Sequence, residues 1–188
     1  SLAGVERSYG FLKWGTALAA FIGALLTTLL VYSLSRVQGK TVVVNLILVG
    51  VAINAMAGGF VTLFSFIGGT MAQSQVVFWQ LGSLAGAGWS SAVITLIITV
   101  IGIVIACLCA PKMDLLALGE NQARHLGVNV ERFRLCVIIL VAALVGVGVA
   151  FAGVIAFVGL IVPHAIRLII GPQHKWLLPT SAFGGAFV

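Results

Sequence analysis

The chain reads as all-α, a polytopic bundle of transmembrane helices. Three observations say so. Its fourteen Asp, Glu, Lys and Arg residues are sorted: none lies between Thr41 and Pro111, seven lie between Lys112 and Arg134, and none lies between Leu135 and Ile166. Hydrophobic residues make up 61% and charged residues 7%, whereas soluble domains carry about 25% charge. The mean hydropathy is +1.22. A charge at mid-bilayer costs about 2.5–3.5 kcal/mol on insertion scales, so lipid enforces this sorting and water does not. The long uncharged stretches lack the alternating pattern of outer-membrane barrels. Gly, at 23 residues, suits close helix–helix approach in lipid.

Phe11 to Leu34 forms a first span, followed by the short turn Ser35 to Lys40. Thr41 to Phe66 forms a second, about 39 Å long at 1.5 Å per residue, enough to cross a 30 Å core with tilt. Gly68 to Trp89 is polar, uncharged and rich in Gly, Ser and Gln; Val76 to Leu81 within it reads as a short interfacial helix, with Trp79 and Trp89 at headgroup level. Ser90 to Cys109 is the third span, expected to end at Pro111. Phe133 to Phe151 is the fourth. Ile155 to Ile170 is a shorter fifth, interrupted by Pro163, and Trp176 begins a sixth. The chain starts at Ser1 and stops at Val188 inside an apolar stretch, and it is read as part of a longer membrane protein.

Orientation follows from Lys and Arg. The loops at 35–40, 110–134 and 167–175 hold Arg36, Lys40, Lys112, Arg124, Arg132, Arg134, Arg167 and Lys175; the opposite side holds Arg7 and Lys13. The positive-inside rule puts the first set in the cytoplasm. The net charge of +6 is then explained by loops facing anionic lipid, with no call on nucleic acid. Cys107, Cys109 and Cys136 lie in apolar spans and read as small hydrophobes, with no metal set and no disulfide framework.

Residues 112–132 are too long and too patterned for a minimal hairpin. Leu115, Leu118, Ala123 and Leu126 give the segment an apolar component, Glu120, Asn121, Arg124 and His125 a polar one, and Gly119 and Gly127 break it into short helices. It suits an amphipathic segment lying on the membrane or a docking surface for a cytoplasmic partner. In the second span, Asn54, Gly58, Thr62 and Ser65 recur on one helical face. That face suits a substrate path or a small-residue packing seam. It carries no charge, which fits a large chelate better than a bare metal ion seeking His or carboxylate ligands.

The run Leu115-Leu116-Ala117-Leu118-Gly119-Glu120, then Ala123-Arg124-His125-Leu126-Gly127-Val128, resembles the cytoplasmic coupling segment of the iron-siderophore and vitamin B12 ABC importer permeases. Phe78 to Gly86, Ala156 to His164 with Arg167, and Gly171-Pro172-Gln173-His174 with Leu177-Leu178-Pro179 agree with the same family in the same order. The resemblance implies a single permease domain over residues 1–188. It would be a partial chain of a type II permease with about ten membrane helices, supplying the fourth to the start of the ninth. It implies an ATPase subunit dimer below, a periplasmic or lipoprotein substrate-binding protein above, a second permease copy alongside, and the bacterial inner membrane around them. It places Leu115, Leu118, Gly119, Glu120, Ala123, Arg124, Leu126 and Gly127 at the ATPase contact and Asn54, Gly58, Thr62 and Ser65 along the translocation pathway. It implies no cofactor in this chain. ATP and Mg would be held by the partner ATPase, since the sequence contains no G-x-x-x-x-G-K-[ST] loop.

The competing reading is an intramembrane serine hydrolase using Ser83 and His164. Ser83 falls in an outer loop and His164 near the cytoplasmic face, outside hydrogen-bond reach of each other, and no G-x-S-x-G surrounds the serine.

Overall fold

The computed structural model describes residues 2–37, 40–82, 88–155 and 157–188, with side chains from Gly15 onward except at Lys40. Among these residues the elements are α1 (Leu2–Leu34), β1 (Arg36–Val37), β2 (Lys40–Thr41), α2 (Val43–Ile67), α3 (Gly69–Leu81), α4 (Trp89–Ala117), α5 (Glu120–His125), α6 (Val130–Ala152), α7 (Val158–Ile170) and α8 (His174–Phe187). The two short strands pair antiparallel, with Arg36 opposite Thr41. The fold is the predicted all-α membrane bundle. α1, α2, α4 and α6 are long and apolar enough to cross a bilayer. α7, at 13 residues, is about 20 Å long and falls short of a 30 Å core.

Several boundaries differ from expectation, and tertiary context explains them. α4 does not stop at Pro111 but continues to Ala117. A proline inside a helix deletes one hydrogen bond and crowds the preceding turn. Here Ala110 is fully buried, and the turn beyond Pro111 is tied to the start of α8 through Asp114, so packing holds the helix together. Pro163 likewise lies within a continuous α7. The polar region after α2 forms a 13-residue helix rather than the six residues expected: α2 ends at Ile67, and Gly69, at φ +76°, redirects the chain at once into α3.

Lipid tails are as apolar as leucine, so van der Waals fit between close backbones must hold such helices together. α6 lies against α1 and α4, α4 also carries α8, and α7 packs on α8. The closest approaches occur at glycines. A Cβ at Gly102 of α4 would meet Leu144 Cδ2 at 2.4 Å, and one at Gly146 of α6 would meet Phe21 of α1 at 3.2 Å. α2 leans on α1 and α3 and has no buried residue along its length.

The end of the bundle away from the charged segment is closed by main chain. The Trp79 carbonyl accepts hydrogen bonds from Gly82 N–H at 3.3 Å and Val154 N–H at 3.2 Å. Gly153 has φ +74°, and a Cβ there would sit 2.5 Å from the Trp79 oxygen. Gly153→Ala is therefore expected to destabilise the protein by about 1–3 kcal/mol from backbone strain alone. Gly148→Ala in open helical space should stay within about 0.5 kcal/mol of the parent. Thermal unfolding in detergent, followed by tryptophan fluorescence, checks both.

Candidate functional site

The charged segment begins where α4 runs out. Gly119, at φ +125°, turns the chain, and its carbonyl accepts from Ala123 N–H at 3.0 Å to start α5. At the other end of α5, Gly127 at φ +82° closes the turn, with its N–H on the Arg124 carbonyl and Val128 N–H on that of Ala123, both at 3.0 Å. Asn129 then caps α6, its side-chain oxygen accepting from Arg132 N–H at 3.3 Å. Glu131 falls in the first turn of α6, where a carboxylate complements the helix dipole.

Three polar loops that are far apart in sequence meet here. Glu131 Oε1 accepts from the Thr41 backbone N–H at 3.1 Å, and Oε2 from the Thr41 hydroxyl at 2.8 Å. One turn along, Arg134 Nη1 donates to the Thr41 carbonyl at 2.7 Å, while Nη2 pairs with the carboxylate of Glu120 on α5. Arg134 Nη1 also lies 3.6 Å from Glu131. The third loop joins through Asp114, whose Oδ1 accepts from the His174 backbone N–H at 3.1 Å and lies 2.6 Å from its Nδ1. The loops expected on one side of the membrane thus share one end of the bundle.

The residues assigned by the sequence to the ATPase contact divide into two groups. Leu118, Arg124, Leu126 and Gly127 are exposed, with Leu126 at 64%. Leu115 and Gly119 are half-buried, and Glu120 is engaged by Arg134. Ala123 is 0% exposed and faces its own bundle, because the methyl side of α5 is the side that packs on α4 and α6. It cannot itself touch a partner in this arrangement.

The second-span residues divide as well. Asn54 and Gly58 line a cleft of about 710 Å³ with Gln75, Trp79 and Gln80 of α3 and Val154. Thr62 and Ser65 turn their hydroxyls onto their own helix, to the carbonyls of Gly58 at 2.9 Å and Val61 at 2.6 Å. His164 is exposed on α7, and Ser83 lies outside the described residues. Sequence reasoning put Arg134 and the loop of His174 at this end but did not foresee the contacts of Thr41 with Glu131 and Arg134 or of Asp114 with His174. The i, i+3 spacing of Glu131 and Arg134 was a visible signal, but nothing local pointed to Thr41, 90 residues away.

Long apolar helices joined by polar contacts at one end, with an uncharged cleft towards the other, make this a polytopic membrane protein. Residues 4–188 match the FecCD transport family, and the chain belongs to that family. It is 41% identical over 167 residues to the hemin transport system permease protein HmuU of Yersinia pestis, covering 89% of this chain and 50% of the relative. It is 39% identical over 169 residues to the vitamin B12 import system permease protein BtuC of Vibrio vulnificus, covering 90% and 50%. A solved structure described as an inward-facing conformation of an ABC transporter of the metal-chelate type superposes with a TM-score of 0.78 at 30% identity, over 93% of this chain and 60% of that one. The chain spans about half the length of the curated relatives it matches. The hydrolase reading finds no support in these matches.

The two-sided character of α5 is open to direct measurement. In a background without native cysteine, Leu118→Cys and Leu126→Cys should react readily with a water-soluble maleimide, and Ala123→Cys slowly. Equal rates at all three positions would show that α5 does not pack as described.

Proposed function

We propose that the complete protein is the membrane-spanning permease of an ATP-binding-cassette importer for a metal chelate, working by alternating access in the bacterial inner membrane. The observation that carries this is α5, a short helix with one face bedded on the bundle, Arg124 exposed on it, and Leu118 and Leu126 exposed on either side of it at the polar end. An ATPase groove can grip that outer face, and displacement of a packed helix reaches the spans without loss in a flexible loop. ATP and Mg belong to an ATPase dimer. The unburied flank of α2 suits a second permease copy or further helices of the same chain. A substrate-binding protein delivers cargo at the end closed by Trp79 and Val154.

The cargo class follows from the cleft and the relatives together. Amides of Asn54, Gln75 and Gln80 beside the Trp79 ring offer weak polar and stacking contacts without ionised groups. Such walls suit a large, already chelated metal. Hemin and vitamin B12, the substrates in the relatives' names, are both metal-bearing tetrapyrroles, and an iron-siderophore fits the same chemistry.

The test is reconstitution of the full-length permease with its ATPase and binding protein in proteoliposomes, with hemin and cyanocobalamin as probes. ATP-dependent accumulation of one of them is expected. Leu118→Glu combined with Leu126→Glu should leave the permease in the membrane but abolish both ATPase retention and uptake. Full uptake in that double variant would remove α5 from the ATPase contact.

A further inference from the structure

Thr41 is the last residue of β2, and one residue separates it from α2. It is 4% exposed, and its three polar atoms are all taken by the first turns of α6: N–H and hydroxyl by Glu131, carbonyl by Arg134. The head of α2 is therefore held to α6 by a grip with two donors and one acceptor on a single residue. Arg134 divides its guanidinium between two elements. Nη1 goes to Thr41, and Nη2 goes to Glu120 at the start of α5.

The two halves of this junction differ in exposure. The Arg134 side chain is 12% exposed and that of Glu131 22%, whereas Glu120 is 44% exposed. The bonds to Thr41 are sheltered and firm. The pair with Glu120 is partly solvated, and such pairs are weak enough to stretch or release. A guanidinium is needed for this arrangement, since its planar fork places separate N–H groups on separate acceptors, while an ammonium is a single point of charge.

We propose that Arg134 is a positioning residue that carries displacement of α5 to the head of α2. This rests on the reading of α5 as the ATPase contact. Movement of Glu120 draws on Arg134, and Arg134 holds the Thr41 carbonyl. α2 is a continuous helix from Val43, and Asn54 lies about 16 Å along it, in the cleft. A shift or tilt at the head of α2 changes the cleft wall without any direct contact between α5 and the cleft.

The experiment uses the full-length permease with its ATPase and binding protein in proteoliposomes, reading ATP hydrolysis and hemin or cyanocobalamin uptake in the same vesicles. Arg134→Gln is expected to keep most ATP hydrolysis while uptake per ATP falls by about tenfold. Arg134→Lys should recover part of that ratio. Glu120→Gln, which alters a half-exposed carboxylate and leaves the Thr41 grip intact, should lower the same ratio even if Arg134→Gln fails to reach the membrane. A purely architectural role would lower protein yield and hydrolysis together and leave the ratio unchanged. An unchanged ratio in Arg134→Gln and Glu120→Gln, with Leu118→Glu/Leu126→Glu inactive, overturns this inference alone. If that double variant also remains fully active, the coupling assignment of α5 falls with it.

Discussion

The bilayer's intolerance of charge governs this structure. Within the apolar spans no ionised pair can serve as a fastener, so the helices are joined there by close contact at Gly102, Gly146 and Gly184. Polar fasteners are possible where water begins, and at one end Arg134 pairs with Glu120 and Glu131 while Asp114 bonds to His174. The molecule is consequently held by close packing through its middle and cross-braced by polar contacts at one end.

The brace does not treat the helices equally. α6 is the centre of it: it packs along α1 and α4, and its first turns hold both the β-ribbon and α5. α4 carries α8, with Asp114 tying the turn before α8 to the extension of α4. α2 is different. It meets α1 and α3 but buries nothing fully, and its firmest tie is at Thr41. α2 is thus held most firmly at its head, and together with α3 it lines the cleft.

Much of this was legible in the sequence, for reasons that can be named. Charge-free runs located the four spans, because the cost of burying charge leaves no exceptions to misread. The basic loops at 35–40, 110–134 and 167–175 were correctly grouped by counting Lys and Arg. Gly119 and Gly127 marked the limits of α5 because each adopts a positive φ. Proline was less reliable: Pro111 and Pro163 were read as breaks, yet both helices continue through them, α4 with Ala110 buried and Asp114 tied to His174. The inward face of Ala123 was not legible either. Six residues of helix contain too little periodicity to say which side packs. The Thr41–Glu131 pairing joins the β-ribbon to the first turn of α6 across four intervening helices, and pattern along the sequence carries no record of it. Of the second-span stripe, Asn54 and Gly58 line the cleft, while the hydroxyls of Thr62 and Ser65 bond within their own helix.

The closure opposite the brace has a consequence for how this fold can diversify. There the Trp79 carbonyl receives two main-chain N–H groups, and Gly82 and Gly153 meet with no side chain between them. The seam is made from atoms that every amino acid shares, apart from two positions that must remain bare. The side chains of Val154 and Ile155 border it and are exposed; of these two residues only the Val154 main-chain N–H helps to hold it shut. The side chains of that rim can be rewritten while the main-chain seal beneath is inherited unchanged.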